Sequence, residues 1–169
     1  PAWREARVIG PMLRHVLAVW PHADLRIYVG CYVNDPETRA AIRAAGRRED
    51  GSHDQRLRIV VNDRPGPTTK GDCLNRCFAA MRQDEEREGR RFCAVLLHDA
   101  EDMVHPQALS LIDAELDRAD FVQIPVRPER HEASRFVSGH YCDEFTDAHA
   151  REMVVRASLG AGIPAAGVG

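Results

Sequence analysis

The chain has 169 residues, which is the length of one domain or of part of one. Its 23 basic and 26 acidic side chains give a formal net charge of -3, which argues against a nucleic-acid-binding protein with a basic face. No apolar run reaches the roughly 18–20 residues of a membrane span, and the first residues lack the apolar core of a signal peptide. The five cysteines include no CxxC pair, which favours a reducing compartment over a disulfide framework.

Apolar residues in the sequence follow the helical repeat in some segments and form short β-branched runs in others. The sharpest helix signals are Asp35 and Pro36, an N-cap followed by a first-turn proline, and Gly46, which ends the same helix. The predicted strands cover residues 25–31, 57–61, 92–97 and 121–126. The predicted helices cover residues 8–20, 36–46, 70–88 and 106–116, and an amphipathic stretch follows over 148–159.

This alternation of helices and strands predicts an α/β fold with a mostly parallel sheet flanked by helices on both faces. In such sheets, ligands bind beyond the carboxyl ends of the strands. Residues that follow the predicted strands are therefore the candidates for chemistry. These segments are 32–35, 62–70, 98–102 and the residues from Pro125 onward.

Three acids follow the third predicted strand within four residues: Asp99, Glu101 and Asp102. At about 5 Å and an effective dielectric near 20, each like-charged pair costs roughly 3 kcal/mol, which a bound cation would relieve. One or two carboxylates with substrate phosphates are a typical Mg²⁺ or Mn²⁺ site. Strand alternation favours Asp99 with Glu101, and Asp102 stays a candidate because alternation often fails past a strand end. The alternative is an acidic loop in which Asp102 or a neighbour caps the helix at Pro106.

Other polar residues at the predicted strand ends have both a functional and a structural interpretation. Lys70 lies at a predicted helix start, where backbone N–H groups favour anions, but it is also explained as a solvated lysine. Asn34 and Asp35 could bond a base or ribose, or simply cap a helix. Trp3 could stack on a ligand or fill the core. Three basic residues after the fourth predicted strand could meet phosphates or form a solvated loop: Arg127, Arg130 and His131.

Together these segments resemble the family 2 glycosyltransferases with the GT-A fold. The similar motifs are Pro1–Glu5 (P-A-x-x-E), Thr69–Asn75 ([ST]-K-A-x-x-L-N, with Gly71 at the Ala position), Asp99–Glu101 (D-A-D, with Glu101 at the third position) and Gln123–Pro125 (Q-x-P). The likeness is closer to a branch of bacterial membrane glycosyltransferases. That branch shows V-N-D (33–35), G-P-T-x-K-x-D-C-L-N (66–75), H-D-x-E-D-x-x-H-P (98–106), D-E-F (143–145), M-V-V-R (153–156) and P-x-A-G-V (164–168).

The resemblance implies that residues 1–169 are a partial catalytic domain of an inverting glycosyltransferase. The donor, a UDP-sugar, would contact Ala2, Trp3, Glu5, Asn34, Asp35, Lys70 and Asp99. The cation, Mg²⁺ or Mn²⁺, would be held by Asp99, Glu101 and Asp102, of which Asp99 and Glu101 are the preferred pair. The family's first strand would precede Pro1 and its catalytic base would follow Gly169, so these residues alone are expected to bind donor poorly and not to turn over.

The same resemblance implies a glycan or lipid acceptor and no nucleic-acid partner. Membrane segments outside these residues would hold the domain at the cytoplasmic face of the bacterial inner membrane. One alternative is a GT-A-like domain that does not catalyse and serves as a binding or receptor module. Another is an α/β enzyme for metal-dependent phosphoryl hydrolysis, although the haloacid-dehalogenase pattern D-x-D-x-[TV] is not met.

Overall fold

Helices alternate with two strands in the first part of the chain, and further helices follow. The computed structural model describes residues 1–129 and 134–164. In chain order the elements are α1 (Ile9–Val19), β1 (Ile27–Tyr32), α2 (Pro36–Ala45), β2 (Leu57–Asn62), α3 (Lys70–Glu88), α4 (Ala108–Leu116), α5 (Arg135–Thr146), a π-helical segment (Asp147–Glu152) and α6 (Met153–Ser158). The predicted α/β class is confirmed, and the elements up to α3 lie within two residues of their predicted bounds.

The two strands form a parallel sheet whose register runs from Ile27 opposite Leu57 to Tyr32 opposite Asn62. Helix α3 packs on both strands, while α1 packs on α2, which contacts β1. Gly30 makes the close approach of α3 possible, because a Cβ there would lie 2.5 Å from the sulfur of Cys73. Helices therefore cover the sheet, and the carboxyl ends of both strands meet at one edge.

Helix α1 contributes the apolar stripe that its sequence predicts. Ile9, Met12, Leu13 and Val16 are all buried. Burying such side chains stabilises the fold by about 1.5–3 kcal/mol each. The helix begins at Ile9 and continues through Pro11, which lies in its first turn, where the missing N–H has no helical partner to lose.

Two of the four predicted strands are not strands in the described residues. Residues 92–97 and 121–126 form no strand-to-strand hydrogen bonds, and the sheet in the described residues consists of β1 and β2. A strand needs a hydrogen-bonding neighbour as well as an apolar run. Among the described residues, neither segment has such a neighbour. Both expectations are thus wrong for these residues, because an apolar run does not specify a pairing partner, and Val95, Leu97 and Phe121 are exposed.

The chain divides into two units, the first formed by residues 1–95 and 99–109 and the second by residues 96–98 and those from 110 onward. In the second unit, the rings of Tyr141 and Phe145 lie 4.5 Å apart, and Phe145 stacks on His149 at 5.5 Å. The amphipathic stretch predicted over 148–159 forms most of the π-helical segment and α6. Within residues 1–129 and 134–164, no helix has the length and apolarity that crossing a bilayer requires.

Candidate functional site

The N-terminal segment lies beside the carboxyl end of β1. Ala2 is buried and donates its N–H to the carbonyl of Gly30 at 2.7 Å. Trp3 meets the ring of Tyr32 edge-on, with centroids 5.2 Å apart and planes at 84°. Gly66 fits against the same rings, since a Cβ there would lie 2.6 Å from Trp3 and 2.7 Å from Tyr32. Three segments distant in sequence therefore converge at this edge of the sheet.

The loop after β2 is fixed to the loop after β1 by Asn34. Its Nδ2 donates to the Gly66 carbonyl at 3.0 Å, and its Oδ1 accepts the Gly66 N–H at 2.7 Å. The hydroxyls of Tyr32 and Thr68 add a second link at 2.9 Å. The amide of Asn34 thus holds the loop at 63–69 through one donated and one accepted hydrogen bond.

Asp35 is buried and caps α2, as its sequence predicts. Its Oδ1 accepts the Thr38 N–H at 3.2 Å and its Oδ2 accepts the Arg4 N–H at 2.6 Å. Burial alone would raise the pKa of this carboxyl, but the hydrogen bonds from Thr38 and Arg4 outweigh burial and lower it. The Arg4 backbone is left-handed, with φ 58°, and Glu5 donates its N–H to Thr38 Oγ1 at 3.0 Å. The carboxylate therefore orders the residues that follow Trp3.

A cleft of about 390 Å³ opens at this edge. Its lining includes three residues that the sequence predicts as donor contacts, Trp3, Asn34 and Asp35, together with Arg4 and Thr38. The Arg4 guanidinium lies 5.3 Å from the Trp3 ring centre, so one wall combines an aromatic face with a cation. The larger cleft of the same unit, about 450 Å³, lies at the start of β2 and contains none of the predicted residues.

Lys70 begins α3 after the N-cap Thr69, whose side chain accepts the Asp72 N–H at 3.1 Å. The Lys70 ammonium pairs with Asp99 Oδ1 at 2.6 Å, across 29 residues of sequence. Both side chains are partly exposed, 49% and 38% respectively. Two predicted site residues from distant segments are thus in direct contact.

The acidic residues 99–102 form a turn. Asp102 Oδ2 accepts the Asp99 N–H at 2.8 Å, and Glu101 is exposed. Asp102 therefore closes this turn and does not cap α4, which begins at Ala108. The alternation argument for Asp99 with Glu101 loses its basis, because the preceding segment is not a paired strand. Among the described residues, no three side chains of His, Cys, Asp or Glu are grouped closely enough to hold a metal ion.

Helix α1 fixes the chain just beyond this turn. His15 Nε2 lies 2.8 Å from the Val104 carbonyl oxygen, and Trp20 Nε1 donates to the His105 carbonyl at 3.1 Å. Trp20 is 2% exposed and Val104 is 7% exposed, so the anchor is buried. The position of the acidic turn thus depends on residues more than 80 positions earlier.

The remaining predicted residues are not brought to this edge by any described contact. Arg127 is exposed in the second unit, whereas Arg130 and His131 lie outside the described residues. The motif at 164–168 lies outside them after its first residue. The catalytic base expected after Gly169 is not part of this sequence.

Comparison with known proteins assigns the whole chain to one family. The model of the family described as glycosyltransferase like family 2 matches residues 1–169. The chain belongs to this family. It is 39% identical over 169 residues to Bacteriophage adsorption protein B of Escherichia coli (strain K12) and to Bacteriophage N4 adsorption protein B of Escherichia coli O157:H7. Each comparison covers 100% of this chain and 22% of the relative. No solved structure matches the chain.

Sequence reasoning missed several residues that make contacts at or near this edge of the sheet. Tyr32, Thr38, His15 and Trp20 each make a contact described above. Tyr32 lies in the candidate segment 32–35 but had no predicted role, and the other three were not candidates. Trp20 is explained as a core residue of the apolar stripe over 8–20, and a lone histidine on an apolar helix face carries no signal of its own. Their partners are 36, 33, 89 and 85 residues away, which local patterns do not reveal.

Proposed function

We propose that this chain binds the nucleoside diphosphate of a sugar donor, and that the protein containing it is an inverting glycosyltransferase. The observation that carries the proposal is the Lys70–Asp99 contact at the edge where the cleft of Trp3, Asn34 and Asp35 opens. A cation at a helix start and adjacent carboxylates suit a diphosphate and its divalent counter-ion. Membership of the glycosyltransferase-like family supports the same reaction class.

The residues of the cleft divide into ligand contacts and positioning groups. Trp3 offers an aromatic face to the base, and Arg4 beside it offers a cation. Asp35 uses both carboxylate oxygens on backbone N–H groups, so its part is to hold the cleft wall. Asn34 holds the neighbouring loop in the same way. A UDP-sugar is the donor we infer from the family resemblance, with Ala2 and Glu5 supporting the segment that carries Trp3.

The acidic turn fits a hard divalent cation. Its donors are carboxylate oxygens, which Mg²⁺ and Mn²⁺ prefer, and Asp99 and Glu101 are both accessible. A site completed by diphosphate oxygens needs only one or two protein carboxylates, which agrees with the absence of a three-ligand group from the described residues. Asp99 and Glu101 would hold the ion, with Asp102 shaping the turn. When bound, the ion would neutralise charge on the departing diphosphate.

Transfer with inversion is a single in-line displacement. The acceptor hydroxyl oxygen bonds to the anomeric carbon as the bond from that carbon to the diphosphate breaks, and a base takes the hydroxyl proton. Lys70 would stay close to the departing phosphates. The base is expected outside residues 1–169, so sugar transfer by this chain alone would contradict this part of the proposal. The acceptor we propose is a glycan or a lipid, at the cytoplasmic face of the bacterial inner membrane.

The test is thermal unfolding with UDP, with and without Mn²⁺. Ligand at about 100 times its dissociation constant adds about 2.7 kcal/mol, which is roughly 5–10 °C for a domain of this size. We expect a shift that needs both UDP and Mn²⁺ and is lost in Asp99→Asn and Glu101→Gln. Glu86→Gln is the matched control, because this exposed acid lies on α3, about 24 Å along the helix from Lys70. No shift, or one that all three variants keep, would contradict the proposal.

A receptor or binding module is the second candidate function. The relatives' names record bacteriophage adsorption, which is a binding function of those proteins. The same titration separates the two: a module kept only for protein contacts has no reason to respond to UDP and Mn²⁺ together. An adsorption function would instead persist in Asp99→Asn.

A further inference from the structure

A second cleft lies at the opposite end of β2 from the proposed donor site. It has a volume of about 450 Å³ and is lined in part by Arg43, Arg47, His53 and Arg58. Arg58 is the second residue of β2. The proposed donor site lies at the other end of this strand, whose last residue is Asn62. At about 3.3 Å per residue, the two ends of the strand are roughly 16 Å apart. A ligand here is therefore distinct from a donor at the carboxyl ends.

Backbone contacts after α2 build this cleft. Helix α2 ends at Gly46, and Arg47 forms an antiparallel bridge with His53. The intervening turn contains Gly51 at φ 81°, a conformation that glycine adopts without strain. Gly46 also lets the turn return closely, because a Cβ there would lie 2.5 Å from His53 Cε1. The positions of the lining side chains are thus set by a hydrogen-bonded turn.

Three arginines line the cleft, and no carboxylate is among its lining residues. The acid nearest in sequence, Asp54, already pairs with Arg56 at 2.9 Å and Arg48 at 3.2 Å. Arg58 directs its Nε to Asp84 at 3.4 Å and keeps 47% of its side chain exposed. Across residues 1–129 and 134–164, neither Arg43 nor Arg47 has an acidic partner.

The helix dipole does not account for this charge. The negative end of α2 favours one cation in its last turn, where Arg43 lies. Arg47 and Arg58 lie beyond that turn, on the following loop and on the neighbouring strand. Arg43 and Arg47, without acidic partners in the described residues, repel each other and Arg58, and a bound anion would relieve this repulsion.

We propose that this cleft binds a phosphate group through Arg43, Arg47 and Arg58. The planar guanidinium fork matches phosphate oxygens in a bidentate way that lysine does not. The volume has room for a diphosphate or for the headgroup of an anionic phospholipid, which share this chemistry. The site does not depend on the glycosyltransferase proposal, since no donor-site residue lines it.

The test measures binding of inorganic pyrophosphate and, separately, of phosphatidylglycerol vesicles against phosphatidylcholine vesicles. The variant is Arg43→Gln/Arg47→Gln. The matched control, Arg91→Gln/Arg118→Gln, removes the same two charges at exposed positions outside the cleft. All four positions are exposed, so the free energy of unfolding should fall by no more than about 1 kcal/mol, the contribution of Arg43 at the end of α2. Circular dichroism checks both variants, because Arg118 lies in the second unit and both tryptophans lie in the first. A third variant, Arg43→Lys/Arg47→Lys, keeps both positive charges but lacks the planar guanidinium groups.

We expect the Gln variant to bind at least about tenfold more weakly, the factor of one lost charge-assisted hydrogen bond, while the control binds as wild type. The Lys variant should fall between them. Loss seen with pyrophosphate identifies a free phosphate anion, and loss seen only with phosphatidylglycerol identifies a lipid headgroup. Equal binding by the Gln variant and the control would overturn the proposal, as would failure of the wild-type protein to bind either probe.

Discussion

Replacing Arg56 with methionine should destabilise the first unit more than any exposed charge change. The Arg56 guanidinium donates to the Trp20 carbonyl at 2.7 Å and the Leu17 carbonyl at 3.0 Å, at the end of α1. It also bonds both Asp54 oxygens, at 3.0 and 2.9 Å. Asp54 is only 8% exposed, so Arg56→Met leaves a buried carboxylate short of its main partner. Removing one partner of a buried pair costs about 3–5 kcal/mol.

Arg48→Met is the matched control, because Arg48 pairs with the same carboxylate at 3.2 Å but is 52% exposed. Exposed pairs contribute about 0.2–1 kcal/mol, so this variant should lose less than about 1 kcal/mol. Urea unfolding followed by tryptophan fluorescence is the assay, since both tryptophans, Trp3 and Trp20, lie in the first unit. Equal losses in the two variants would refute the reasoning that burial sets the energy of this network.

Three further predictions concern the same unit. The hydrogen bond from Arg56 lowers the pKa of Asp54. The ionised carboxylate therefore stabilises the fold above about pH 4, the pKa of Asp in the unfolded chain, and this stabilisation is lost as the pH falls. In acid titrations, Asp54→Asn should be less stable than wild type at pH 7 and should lose less stability between pH 5 and 2. Gly30→Ala would place a methyl group 2.5 Å from the Cys73 sulfur and should cost about 1–3 kcal/mol in urea unfolding. Lys70→Met removes the ammonium group that competes with a cation for Asp99. It should strengthen the binding of Mn²⁺ alone by up to about fivefold, the equivalent of one exposed ion pair, in a spin-resonance titration. Unchanged Mn²⁺ binding would contradict a cation site at Asp99.

Local signals predicted the elements whose ends are fixed by near neighbours. Asp35 and Pro36 identify the start of α2 because the cap bond joins residues three apart. Thr69 before Lys70 does the same for α3. The β-branched run at 57–61 predicts β2, which spans Leu57–Asn62.

Features that depend on distant partners were not predictable in this way. The apolar run at 92–97 satisfies every local criterion for a strand, yet strand formation requires a neighbouring edge. The contacts of Asn34 with Gly66 and of Lys70 with Asp99 join positions 32 and 29 residues apart. Sequence reasoning placed these residues at one edge of the sheet, because parallel strands end together. It could not say that Asn34 would hold the loop at Gly66, or that Asp35, predicted as an N-cap, would also accept the Arg4 N–H.

The acidic turn shows why a motif alone does not define a site. Its three carboxylates are adjacent in sequence, but one pairs with Lys70 and another closes the turn through the Asp99 N–H. The turn is held in place from the opposite side by His15 and Trp20, through the two backbone carbonyls that follow Met103. The Lys70 ammonium partly neutralises Asp99 without a metal ion, so a divalent cation that binds Asp99 Oδ1 would have to displace it. Cation binding at this edge is therefore coupled to the position of α3, the helix that carries Lys70.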